Sequence, residues 1–142
     1  MTETFLLDTG PLGMLVHPKQ NKKITKWILK ELKSNTNIVI PEIADYELRR
    51  NLILENFNKS IERLDELKKS MTYLPLTTDI MLRAAELWAD ARKRGKPTSD
   101  PKELDGDVIL ASQALAINAK IITTNSGHLS LFVSTIEVNE LN

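Results

Sequence analysis

Four positions spread along the chain carry side chains able to hold a cation, and each lies beside or shortly after a short apolar run. Asp8 follows Phe5-Leu6-Leu7, and Glu47 lies in the stretch after Ile38-Val39-Ile40. Asp107 precedes Val108-Ile109-Leu110, and Asn125 follows Ile121-Ile122-Thr123 by one residue. Thr9 and Thr123 add hydroxyls beside the first and last of these. Carboxylates brought together repel, and in isolation at least one of them has a raised pKa. A divalent cation removes that repulsion and becomes the largest charge in the site. Hard oxygen donors, with no His or Cys among them, favour Mg²⁺ or Mn²⁺ over Zn²⁺. Such an ion activates water and stabilises charge building on a phosphate, so the chemistry implied is phosphodiester hydrolysis.

Those residues work together only if the fold gathers them. Short uninterrupted apolar runs suit strands covered on both faces, as in parallel sheets. Three are plain at residues 5–7, 38–40 and 121–123, and another is expected near Thr135 to Val138. Tyr73-Leu74-Pro75-Leu76 is expected as a short edge strand because of its proline. Helical periodicity places Ile24, Trp27, Ile28 and Leu32 on one stripe and Ala44, Leu48 and Leu52 on another, within a helix from Glu42 to about Leu54. A third stripe carries Phe57, Ile61, Leu64 and Met71, with Asp65 and Lys69 as an outward pair. Thr78 is the expected N-cap of a helix carrying Ile80, Ala84, Leu87, Trp88 and Ala91 and closed by Gly95. Residues 96–103 read as a charged loop, followed by a helix from about Asp107 to Asn118. Short apolar runs alternating with helices imply βα units and one largely parallel α/β domain over residues 1–142. Ligands of such sheets bind beyond the C-terminal strand ends, where Asp8 and Asn125 must fall.

Each candidate also has a purely structural reading. Asp8 equally suits a residue that ends a strand and caps the next turn. Glu47, taken alone, fits a solvated helix residue paired with Arg49 or Arg50. Asp107 fits a first-turn acid favoured by the helix dipole, with Asp105 as that helix's N-cap. Thr9 and Thr123 suit a turn hydroxyl and a β-branched strand residue as well as they suit site hydroxyls. His17 reads as surface, His128 as structural, and Trp27 and Trp88 as core. The weight lies in the combination.

Bulk properties narrow the classes. With 19 basic and 19 acidic residues, the chain is not held on nucleic acid by overall charge. Local patches remain available, at Lys22, Lys23 and Lys26 or at Lys93, Arg94, Lys96 and Lys102. The absence of cysteine removes disulfides and thiolate metal sites. The opening residues lack a basic start with an apolar run, and no stretch is long enough to span a membrane, so a cytoplasmic location is expected.

Taken in order, these segments resemble the PIN-domain family, and within it the VapC-like toxins of bacterial toxin–antitoxin pairs. Phe5-Leu6-Leu7-Asp8-Thr9 looks like the family's first strand with its aspartate and hydroxyl. Ile40 to Leu48 looks like the second strand and the helix bearing the family's glutamate, which matches Glu47. Leu104 to Ala111 resembles the segment with the second metal-binding aspartate, which matches Asp107. Ile121 to Asn125 resembles the last motif strand, where the family often places a fourth acid and this chain has an amide. The resemblance implies a three-layer α/β/α sandwich with a central, mostly parallel four- to five-stranded sheet. It also implies an Mg²⁺- or Mn²⁺-dependent endoribonuclease with Asp8, Asp107 and Glu47 as metal ligands. Its partners would be an RNA substrate, a small antitoxin and a second copy of the chain.

Two other classes compete. Asn125 motivates a degenerate scaffold that binds RNA or protein without hydrolysis. An aspartate after the first strand also occurs in receiver domains and haloacid-dehalogenase-like phosphatases. The phosphatase pattern expects a second aspartate at the position of Gly10, and no receiver-type acidic pair precedes Asp8.

Overall fold

The computed structural model describes residues 3–95 and 101–142, with 101–103 defined by backbone only. Its strands are β1 (Thr4–Leu7), β2 (Asn37–Pro41), β3 (Thr72–Leu74), β4 (Lys120–Thr123) and β5 (Thr135–Glu137). They form one sheet in the order β3-β2-β1-β4-β5, and every neighbouring pair is parallel. The helices are α1 (Thr9–Val16), α2 (Lys22–Lys33), α3 (Glu42–Leu54), α4 (Asn58–Ser70), α5 (Thr78–Lys93) and α6 (Pro101–Ala116). The expected three-layer sandwich is present.

Strand side chains alternate between the two faces, and this splits the core. Phe5, Leu7, Ile38, Ile40 and Ile122 pack with residues of α1 to α4, including Leu12, Trp27, Leu48 and Leu64. Leu6, Val39 and Ile121 face the other way, onto Ile43, Leu110 and Ala114. Both faces of the central strands are therefore covered, which is why those runs are apolar without interruption. A third cluster joins α5 to α6 through Ala84, Leu87, Ala91, Leu104, Val108 and Ala111. The sequence order of the strands reverses between β1 and β4. In open parallel sheets, that switch point is where ligands bind, beyond the C-terminal strand ends.

Several local expectations are corrected. Asp8-Thr9-Gly10-Pro11 does not simply stop a strand; it starts α1, with Asp8 as N-cap accepting from the Thr9 amide at 2.7 Å. Pro11 is tolerated because first-turn amides have no intrahelical acceptor. Helix α6 begins at Pro101, a residue suited to a helix start. Asp105 is therefore inside the helix rather than its N-cap, and Asp107 lies in the second turn. Thr77, not Thr78, caps α5, accepting from Ile80 N at 3.2 Å. Asp65 pairs with Arg49 at 2.9 Å and Lys69 with Glu66 at 3.0 Å, instead of with each other. Phe57 precedes α4 and is exposed. The expected loop at 96–100 and the basic residue Lys96 lie outside the described residues, as does the side chain of Lys102.

Candidate active site

The edge beyond β1 and β4 is built from backbone upward. The Asp8 amide donates to Ile122 O at 2.9 Å, continuing the β1–β4 ladder one residue past the strand. The Asp8 carboxylate is thereby held at the sheet edge. Its Oδ2 accepts from Thr123 Oγ1 at 2.8 Å, and the buried Thr123 hydroxyl in turn accepts from Asn125 N at 3.2 Å. Thr9 Oγ1 donates to Glu47 Oε1 at 3.0 Å, so the hydroxyl next to Asp8 fixes the acid from α3. Glu47 is therefore not the ion-pair partner of Arg49, which is taken by Asp45 and Asp65.

Burial sets the electrostatics. Burial raises the Asp8 pKa above the ordinary carboxylate value, against the opposing pull of the Thr123 hydroxyl and the Thr9 amide. Burial also raises that of Glu47, aided by the negative charge of Asp8 and opposed by the Thr9 hydrogen bond and by Arg50. Two buried acids, one of which also feels the other's charge, form a place where a cation is favoured.

Two glycines make this approach possible. A Cβ on Gly10 would stand 2.7 Å from Thr124 Oγ1, so only a bare backbone lets the start of α1 lie against the segment after β4. A Cβ on Gly106 would stand 2.7 Å from Glu47 Oε2, which places Glu47 against α6 beside the half-buried Asp107. Asp8, Thr9, Glu47 and Thr123 thus form one linked group, with Gly106-Asp107 bordering it. Asn125 is exposed at the rim, and its amide oxygen lies 3.1 Å from the Cβ position of Gly127. Among the described residues, no group of three His, Cys, Asp or Glu side chains stands in a metal-holding arrangement. The donor chemistry nevertheless fits a hard cation, since the linked acids and hydroxyls supply only oxygen.

Two further buried residues shape the site from behind. Gln113 on α6 is fully buried; its Oε1 accepts from Ile43 N at 3.3 Å and its Nε2 donates to Leu74 O at 2.8 Å. It ties the first turn of α3 to the end of β3. Asp45, also buried, accepts from Arg49 Nε at 2.8 Å and Tyr73 OH at 3.0 Å, with Lys68 Nζ at 3.3 Å. Together these anchor the helix that carries Glu47. A sequence signal exists for both: a glutamine on an apolar stripe, and an acid within the apolar Ile43-Ala44 turn. His17 is exposed as expected, and Trp27 is core. His128 is half-buried at the start of a 3-10 turn. Trp88 is only half-buried, and its Nε1 is buried with no hydrogen-bond partner.

The class defined by this fold is a three-layer α/β/α sandwich with an acidic pair at the switch point of a parallel sheet. The PIN domain model matches residues 5–131, and the chain belongs to the PIN-domain family. The expected family is the one found, and nuclease activity is general to PIN domains. Comparison with curated proteins gives no match. Among solved structures, the chain is similar to VapBC2 from Rickettsia felis bound to a promoter DNA fragment, with 18% identity and a TM-score of 0.78, covering 94% of this chain and 98% of that one. It is similar to FitAcB from Neisseria gonorrhoeae at 21% identity and a TM-score of 0.77, covering 96% and 99%. It is also similar to a toxin–antitoxin complex from Klebsiella pneumoniae at 17% identity and a TM-score of 0.67, covering 96% and 98%. Identities this low establish a common fold. Among the described residues, no helix is long and apolar enough to cross a membrane.

Proposed function

We propose that this chain is an Mg²⁺- or Mn²⁺-dependent endoribonuclease, the toxin of a toxin–antitoxin pair that acts in the cytoplasm as a homodimer. The observation that carries the reading is the Asp8–Thr9–Glu47 linkage at the switch-point edge, which brings together two acids with raised pKa values. Asp8, Glu47 and Asp107 are the residues that would hold the ion. When bound, it lowers the pKa of a water and offsets charge developing on the phosphate. Thr123 fixes the orientation of Asp8, and Thr9 fixes that of Glu47, so neither carboxylate has to be ordered during the reaction. Glu47, held by Thr9 on one side and by the bare Gly106 backbone on the other, would position the metal or its water. Asn125 offers an uncharged oxygen where a fourth acid would add charge.

The antitoxin reading is supported by the likeness to toxin–antitoxin structures and by an apolar groove between α1, α3 and α4. That groove is lined by Val16, Leu48, Leu52 and the exposed Phe57. Expression should arrest growth, and a small partner protein should relieve the arrest. The direct test is cleavage of structured RNA by purified protein with Mg²⁺ or Mn²⁺. Chelation should stop it, and D8N should abolish it. Equal cutting by D8N would remove the assignment, and sedimentation as a monomer would remove the dimer.

A second reading, a non-hydrolytic binding module, is favoured by Asn125 and by the lack of a three-acid group among the described residues. Calorimetry that finds RNA affinity but no divalent binding lost in D8N would select it.

A further inference from the structure

Helix α2 concentrates charge that the neutral chain as a whole does not have. Lys22, Lys23, Lys26, Lys30 and Lys33 are all exposed, and the apolar side of the same helix buries Ile24, Trp27 and Ile28. At 3.6 residues per turn the five lysines fall within an arc of about 100°, forming a single cationic stripe about 16 Å long. Glu31, the acid within the helix, lies off that arc and accepts from Thr36 Oγ1 at 2.7 Å. The ion pairs of the described residues leave all five lysines out. Lys23 Nζ donates to Asn139 O at 2.6 Å, which fixes one end of the stripe on the C-terminal segment. The acids of that segment are engaged: Glu137 accepts from Ser126 and Glu140 accepts from Glu137 N.

The N-terminal end of the stripe lies near the segment that follows β4 at the candidate site. One hollow is lined by Met14 of α1, Asn21 and Lys23 at the start of α2, Thr124, and Val138 and Asn139. Thr124 is the residue against which Gly10 packs, two positions from Asp8, and it adjoins Thr123, which bonds Asp8. The hollow therefore lies between the Thr124 segment, which borders the acidic edge, and the N-terminal end of the lysine stripe, where the helix dipole adds partial positive charge. Successive lysines at i, i+4 and i+8 rise by about 6 Å each, a spacing an extended polynucleotide backbone can follow.

We propose that α2 is the surface that grips the backbone of a single-stranded RNA segment and guides it through the Thr124–Lys23 hollow to the Asp8–Glu47 site. The inference rests on the ribonuclease reading and names the surface that holds its substrate. It explains how a chain of zero formal charge gains affinity for phosphate: the cations are sorted onto one helix.

The test uses D8N protein, so that binding is read without cleavage, with fluorescein-labelled single-stranded RNA followed by anisotropy between 50 and 200 mM KCl. The variant is K22Q/K26Q/K30Q, which spares Lys23 and its bond to Asn139. The control is K59Q/K69Q/K93Q, which removes the same charge from other helices. The α2 variant should lose roughly tenfold or more in affinity, and its slope of log affinity against log salt should shrink by about 2, near 0.7 per lost phosphate contact. The control should keep both affinity and slope. Equal losses in both variants, or no loss in either, would overturn the inference. Tighter binding of labelled poly-glutamate than of RNA by the α2 face would reassign it to an acidic protein partner. Wild-type cleavage measured in parallel separates the two levels. Cleavage with an unaffected α2 variant defeats this inference alone, whereas neither cleavage nor binding defeats the ribonuclease reading with it.

Discussion

Glu47 Oε2 lies 2.7 Å from the point where a Cβ on Gly106 would stand, while Oε1 of the same carboxylate accepts from Thr9 at 3.0 Å. One acid is thus confined between a hydroxyl of α1 and a bare stretch of α6. A methyl group at position 106 must displace the carboxylate, because the helix backbone is the stiffer side of the contact. G106A should therefore lower the cleavage rate by roughly ten- to a hundredfold, the cost of misplacing a reacting group by about 1 Å. Alanine is also the better helix former, by about 1 kcal/mol. Thermal unfolding should accordingly show G106A at least as stable as the parent. An inactive G106A that has also lost stability would mean the glycine serves folding rather than Glu47.

Asp8 is expected to trade stability for function. Its pKa in the folded chain is raised by burial, so the folded state holds that proton more tightly than the unfolded state does. The stabilising contribution of the protonated form is complete below the unfolded value of about 3.9 and is lost as pH rises through the folded value. D8N has no charge to bury. In EDTA it should match the parent in melting temperature near pH 3.5 and exceed it at pH 7, while failing to cut RNA. A D8N melting temperature at or below the parent's at pH 7 would contradict this.

Asp45 behaves in the opposite sense. Burial pushes its pKa up, but the hydrogen bond and charge of Arg49, with Tyr73 and Lys68, outweigh that and leave it lowered. Its stabilisation is present above the unfolded value and lost as pH falls through the folded one. D45N should cost about 2–3 kcal/mol at pH 7, because Arg49 and Lys68 then face a neutral amide. Denaturant unfolding at pH 7 measures this, and the gap to the parent should close in acid.

Asn125 supplies a gain-of-charge experiment. N125D adds a carboxylate at the exposed rim, two residues beyond the Thr123 that holds Asp8. Affinity for divalent cations rises with ligand charge, so Mn²⁺ should bind roughly tenfold more tightly by calorimetry. Unchanged Mn²⁺ affinity would place position 125 outside the metal's reach.

The parts of this protein that follow from local pattern were legible in the chain. Apolar runs at residues 5–7, 38–40 and 121–123 became adjacent parallel strands, and Asp8 and Asn125 fell at the edge where strand direction requires them. The helix expected from Glu42 to about Leu54 is present as α3. Local pattern fails where capping and packing decide. A stretch of Asp, Thr, Gly and Pro reads as a turn, yet it opens α1 because Asp8 caps it and Pro11 falls where no amide is needed. Likewise α6 starts at Pro101, several residues before its apolar stripe becomes visible.

What the sequence determined by itself was the set of acids, the family pattern and the strand ends that must carry them. Only the tertiary structure decided that Thr9 bonds Glu47 rather than its own turn, that Thr123 bonds Asp8, and that Gly106 makes room for Glu47. It also decided that the lysines of α2 stand beside a hollow shared with Thr124. Periodicity reports which side of a helix is buried, because burial is a property of one element against the rest. Contacts between residues 38 or 115 positions apart depend on how two elements approach, and that distance is set by packing.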